Sequence, residues 1–286
     1  CVSQRFWKYY ILQIKMSVTA DDWIKRAKNV ESMEMMDQLK VYTDTMQIDG
    51  SDFTESLSDI MDLLPLLYPK INYDAEDPSS DYVYQTCNAI VMKCMTCAST
   101  DFKRKHKAIA LDKVATMLDY ILDNKKNISK ANYAGYQLIS NSFSMLNLTA
   151  LPTKKGCQVI APIVGKIFGA KKVSPDLKKA MQYPIMLIKQ NVPDAMTTLA
   201  PVIYSLCLED EDFSYLSQLG TLYDACPDVA NGYIDTMIEI MDEGGVYRPE
   251  LTLPMVFQKI ANRNPELLEP HLKTFIEGLN NDMKAI

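Results

Sequence analysis

Three short stretches of the chain repeat one pattern: Val192-Pro193-Asp194, Cys226-Pro227-Asp228 and Asn264-Pro265-Glu266. Their prolines lie 34 and 38 residues apart, and each is followed by an acid and then by a helical apolar stripe. A proline at the first helical position gives up an N–H that has no intrahelical acceptor, and an acid in the first turn faces the positive end of the helix dipole. The pattern therefore marks three helix starts. A second echo lies upstream, where Ile160-Ala161-Pro162-Ile163-Val164 matches Leu199-Ala200-Pro201-Val202-Ile203 at an offset of 39. Units of roughly 34 to 47 residues, each of two or three helices, are the signature of α-solenoids. One such unit cannot bury its own apolar face, so neighbours stack into an elongated core. The expected fold is all-α, a HEAT/armadillo-like α-solenoid of stacked antiparallel helix pairs, offering a surface for binding rather than for catalysis.

Glycine is scarce (10 of 286 residues), Met is abundant (17), and Val-rich alternating runs are absent, which disfavours sheets and favours helix throughout. The methionines read as gap-fillers of a helical core, with a Met-lined groove as the sharper alternative. Seven cysteines without framework spacing do not describe a disulfide scaffold. The longest apolar run near the start, Tyr9-Tyr10-Ile11-Leu12, is too short to span a bilayer. The chain begins at Cys1, and Met16 precedes Thr19, which is placed to cap a helix with Asp22 three residues on. Residues 1–15 are accordingly expected to be a leader or a fragment end, 16–80 an N-terminal helical capping segment, and 81–286 the HEAT/armadillo-like repeats.

Helix signals follow one another with short breaks. One stretch spans 19–47, and a second starts at Asp52 and carries Leu57, Ile60, Met61, Leu64 and Leu67. The polar run from Asn72 to Ser80 is the longest loop signal. Further helices are expected over 81–99, 102–124, 129–147, 155–169, 175–191, 194–208, 212–225, 228–242, 249–262 and 266–280.

Charge is segregated. Residues 101–190 hold 16 Lys and Arg against 5 Asp, a local balance of +11 in a chain of net −6. The basic residues come as the run Lys103, Arg104, Lys105 and Lys107 around His106, and as the pairs Lys125-Lys126, Lys154-Lys155, Lys171-Lys172 and Lys178-Lys179 near expected helix ends. In a solenoid such ends line up along edges, so these twelve residues are the candidate site for an anionic partner, an acidic or phosphorylated peptide. The competing reading is a solvated face whose lysines stabilise helix C-termini. Nucleic acid is disfavoured, because few aromatics interleave the basic residues and the whole chain is acidic.

Catalytic motifs are missing: there is no HExxH, GxSxG or phosphate-binding glycine loop, and the two histidines, His106 and His271, lie far apart. Cys87, Cys94 and Cys97 share a helix face, but three thiols lack the fourth ligand a structural zinc wants, and they read as buried core. The acid pairs Asp210-Glu211 and Glu239/Glu243 read as solvent-facing. No cofactor or metal is expected, and the chain is read as a non-enzymatic scaffold or adaptor. The alternatives are a transport or trafficking solenoid of the importin or adaptin kind, and a helical enzyme with an unrecognised site.

The stretches Lys103–Leu111, Ile160–Phe168 and Leu199–Tyr204 resemble, in residues and spacing, the N-terminal helical region of the melted family, the ventricular-zone-expressed PH-domain proteins. The resemblance covers about residues 85–245. It implies a cytoplasmic adaptor of insulin/TOR-type growth signalling, peripheral at the inner face of the plasma membrane. In that family phosphoinositides are bound by a C-terminal PH domain that has no counterpart in these residues, so no lipid-binding residue carries over.

Overall fold

The computed structural model describes residues 18–73, 77, 80–100, 102–123, 133–170, 177, 180–209, 216–243, 249–273 and 276. Every regular element among them is helical, and none is a strand, which bears out the all-α expectation. The chain divides into two compact units, Cys1–Val159 and Ile160–Ile286.

The first unit opens with α1 (Ala20–Ala27) and α2 (Met35–Gln47), where one helix over 19–47 was expected. A 3-10 turn at Val30–Ser32 separates them. The reason is tertiary: Trp23 and Val41 are both buried, and folding back brings the indole N–H to the Val41 carbonyl at 2.9 Å. Arg26 and Asp44 close the same hairpin at 2.8 Å. Thr19 caps α1 as expected, accepting from the Asp22 N–H at 3.3 Å, while its hydroxyl donates to the Asp22 carboxylate at 3.0 Å. The first helical N–H, of Ala20, goes instead to Asp52 at 2.7 Å.

The second expected helix is also divided, into α3 (Gly50–Glu55), α4 (Leu57–Met61), α5 (Leu64–Leu67) and a 3-10 turn at Tyr68–Lys70. Pro65 and Pro69 supply no N–H to carry a helix through. Its apolar positions Leu57, Ile60, Met61, Leu64 and Leu67 are nonetheless all buried. Asp49 caps α3, and the Ser51 hydroxyl and N–H that it accepts hold its carboxyl below the usual range.

The next helix, α6 (Tyr82–Ala98), is held at its start by Asp81, which accepts from Val83, Tyr84 and, across the polar run, Asn72 at 2.9, 3.0 and 2.7 Å. Helix α6 packs against both α2 and α8 (Tyr133–Thr149). Its Lys93 is buried and donates to the Met46 carbonyl at 3.1 Å, a cation set at the negative end of α2. Asn141 of α8 donates to Asn88 of α6 at 2.7 Å. Helix α7 (Arg104–Asp123) packs on α4, α5 and α8. The division between the units falls within α9 (Lys154–Phe168).

The second unit continues α9 with α10 (Gln182–Asn191), α11 (Met196–Glu209), α12 (Leu216–Ala225), α13 (Pro227–Asn231), α14 (Ile234–Glu243) and α15 (Pro249–Arg263). The three proline–acid stretches adopt one conformation. Their pivots Val192, Cys226 and Asn264 have φ/ψ of −144/63°, −142/72° and −141/71°. Each pivot N–H bonds to the carbonyl four residues back, of Ile188, Leu222 and Ile260, at 2.7, 2.9 and 2.7 Å. Each pivot is followed by proline at a helical start and by an exposed acid. A following proline keeps each pivot out of the helical region, which ends the preceding helix there. Four residues before and four after it the side chains are buried in all three: Ile188, Leu222 and Ile260, then Met196, Ala230 and Leu268.

The helices before the elbows contact in sequence, α10 with α12 and α12 with α15, and α11, which follows the first elbow, contacts α13 and α14, which follow the second. A Cβ on Gly165 of α9 would stand 3.1 Å from Leu199, so α9 and α11 approach closely there.

Contacts between successive elbows repeat too. Seven residues past the second pivot, the Tyr233 hydroxyl donates to the carbonyl of Pro201, nine past the first, at 3.5 Å. Seven past the third, His271 meets Asp235, nine past the second, at 3.2 Å. The Tyr233 ring also stacks on Tyr204 at 5.3 Å.

Other differences from expectation are local. The helix expected over 228–242 breaks at Gly232 and Tyr233, which swings Tyr233 onto Tyr204. The helix expected over 266–280 begins as two 3-10 turns, Pro265–Leu267 and Glu269–His271, because Pro270 lacks an N–H. Of the helix expected over 175–191, the described residues show helical Leu177 and Ala180, a turn at Met181 and then α10 from Gln182.

Candidate anionic-partner site

Six of the twelve basic site residues lie among the described ones, and all six lie at helix starts. Arg104 and Lys105 open α7 and are exposed with Lys103, while Lys107 is half-buried. The turn is fastened from inside. Lys103 is the last residue before the helix, and its N–H donates to Nδ1 of buried His106 at 3.1 Å. His106 therefore works as a neutral cap, as the N3 acid does in a capping box, and its ring lies 5.8 Å from that of Phe102.

Lys154 and Lys155 are the first two residues of α9, and both are exposed. Their base is built by Thr153, whose oxygen accepts from the Gly156 N–H at 3.0 Å and whose hydroxyl donates to the Ala150 carbonyl at 2.7 Å. A Cβ on Gly156 would fall 2.0 Å from that carbonyl oxygen, so the turn admits only glycine. The thiol of Cys157 donates to the Leu151 carbonyl at 2.9 Å, closing the turn underneath. Lys125, Lys126, Lys171, Lys172, Lys178 and Lys179 lie outside the described residues.

This placement bears on the competing reading. Lysines at C-termini relieve the helix dipole, but these six stand at N-termini, where each cation costs about 0.3–1 kcal/mol at low ionic strength. Among the described residues no acid forms an ion pair with any of them. Neighbouring Lys113 differs: it pairs with Asp62 at 2.7 Å, a hydrogen bond that holds its ammonium above the usual range. The dipole and the side chains thus add to one positive potential at each helix start, the condition under which helix N-termini hold anions. The structure gathers the six into two clusters, one on each helix.

Two features had no sequence signal. Lys93 looks like any helical lysine, and only packing reveals it as a buried link to α2. A groove of about 600 Å³ runs between α1 and α4–α5, with Ile24, Leu63 and Leu66 between Asp21, Lys25, Lys28, Asp59 and Asp62. It joins helices some 35 residues apart in sequence, so no local pattern announces it.

The residues weighed for other chemistry are placed as follows where described. Cys87, Cys94 and Cys97 are buried, and burial pushes the Cys87 and Cys94 thiols far above the usual range, away from thiolate chemistry. His271 pairs with Asp235. Asp210 and Glu211 lie outside the described residues, and Glu239 is exposed on α14. Among the described residues no group of three His, Cys, Asp or Glu side chains is placed to hold a metal ion. No described helix is long and apolar enough to cross a membrane. Comparison with family models, with curated proteins and with solved structures gives no match.

Proposed function

We propose that the chain is a non-enzymatic helical-repeat scaffold that captures an acidic or phosphorylated segment of a partner protein. The observation that carries this reading is the placement of six cations, without an acid partner among the described residues, at the starts of α7 and α9, against the helix dipole. An anion bound there meets side-chain charge and backbone N–H groups together, and relieves a repulsion present in the free protein. The solenoid character of the second unit is part of the same reading. Three like elbows and two like inter-elbow contacts are what a stacked repeat array produces. The resemblance to melted proteins supplies an adaptor role in growth signalling as the setting.

The test is capture of partners from a cell extract, at low and at high salt, by the wild-type chain and by a variant carrying Glu at Lys103, Arg104, Lys105, Lys154 and Lys155. The expected result is enrichment of proteins with acidic or phosphorylated segments by the wild type, weakened by salt and lost in the variant, with helicity unchanged. Equal capture by both chains, insensitive to ionic strength, rules the site out.

A further inference from the structure

Helix α2 has two faces that a neighbour could use, and the first unit uses one of them. Val41 and Thr45 are buried, the Trp23 indole reaches the Val41 carbonyl, and α6 packs on the helix. About a third of a turn away round the helix, Met35, Leu39, Tyr42 and Met46 form a second row at spacings of 4, 3 and 4. Met35 and Met46 are 65% and 45% exposed, and Leu39 and Tyr42 are half-buried. Single exposed apolar side chains are ordinary on a protein surface. Four at this spacing make the seam along which one helix receives the side chains of another. The row is about 16 Å long, which matches about three turns of a partner helix. Its start is held in place by Gln38, whose amide donates to the Met33 carbonyl at 3.0 Å. Met36, 72% exposed, stands beside that start. Methionine suits such a surface, because its unbranched side chain repacks around whatever it meets.

Charge selects the occupant. Residues 29–49 carry Glu31, Glu34, Asp37, Asp44 and Asp49 against Lys40 alone. Asp44 pairs with Arg26 and Glu31 with Lys70. Glu34 and Asp37 stand exposed beside Met35 and Met36, and among the described residues neither forms an ion pair. A second copy would bring acids against acids, with Lys40 as the one cation on each α2. We propose that the seam receives a basic amphipathic helix of a partner protein. Its apolar row lies on Met35, Leu39, Tyr42 and Met46, and its cations face Glu34 and Asp37. The site shares no residue with the basic turns of α7 and α9 and takes a ligand of the opposite charge.

The experiment is fluorescence anisotropy of a labelled synthetic helix with the full chain. The probe has about 20 residues, with Leu at the same 4, 3, 4 spacing, Lys on the flanks and Ala elsewhere. A second probe carries Glu in place of Lys. The wild type should bind the Lys probe with Kd below about 100 µM and the Glu probe at least about tenfold more weakly. Met35→Gln/Met46→Gln changes only exposed side chains and no charge, and should weaken the Lys probe at least about tenfold with circular dichroism unchanged. Glu34→Gln/Asp37→Asn should weaken it several-fold and flatten its dependence on salt. Met255→Gln, on α15 and as exposed, should bind like the wild type. A wild type that does not bind the Lys probe up to ~100 µM overturns the proposal. So does equal binding by Met35→Gln/Met46→Gln, which would place the probe elsewhere, or equal binding of the two probes. A wild-type dimer that Met35→Gln/Met46→Gln abolishes would give the seam to a second copy and overturn it as well.

Discussion

Gly156 shows how one residue fixes the display of a basic turn. The Ala150 carbonyl oxygen occupies the space a side chain would need, and the same carbonyl accepts the Thr153 hydroxyl, so glycine and cap are parts of one turn. Replacing Gly156 by Ala forces the carbonyl to move and loosens the platform under Lys154 and Lys155. The expected cost is about 1–3 kcal/mol of stability, read from urea unfolding, since the clash is with backbone rather than with a side chain that can swing away. His106 has the matching role under the other cluster. Its chemistry was legible in sequence only as the absence of a partner histidine, and its use as a helix cap appears once Lys103 is seen to donate to it.

At the scale of elements, the sequence was most informative where apolar periodicity ran long. The helices expected over 81–99, 155–169 and 249–262 are found at Tyr82–Ala98, Lys154–Phe168 and Pro249–Arg263. The proline–acid pattern located three elbows whose backbones match closely. Legibility failed in the first seventy residues, where the apolar positions were right and the helices wrong. There the chain is cut into turns by Pro65, by Pro69 and by the need to bring Trp23 onto Val41, a contact no local window contains. Tyr233 made the same kind of trouble by breaking a helix in order to stack on Tyr204. If that stack holds one elbow unit to the next, Tyr233→Ala should cost about 3 kcal/mol or more and Tyr233→Phe less than about 1.5 kcal/mol. Chemical denaturation separates them, and equal losses would mean that the weak bond to Pro201 matters more than the ring.

Across the whole molecule, the basic region was legible as a charge imbalance and the identity of its residues could be read directly. The helices expected over 102–124 and 155–169 already put these six at N-terminal ends, where the dipole opposes them. What the sequence did not reveal was that no acid among the described residues pairs with them. The groove beside α1 was invisible for the complementary reason, being the product of two distant helices. On the proposed function these cations are kept for an anionic partner at a cost to the free fold. The most direct test is the melting temperature, with and without an acidic phosphopeptide, of the wild type and of the variant bearing Glu at Lys103, Arg104, Lys105, Lys154 and Lys155. The free variant should melt higher than the free wild type, each reversal relieving about 0.3–1 kcal/mol, and the peptide should raise the melting temperature of the wild type alone. A peptide that stabilises both proteins equally, or neither, contradicts it.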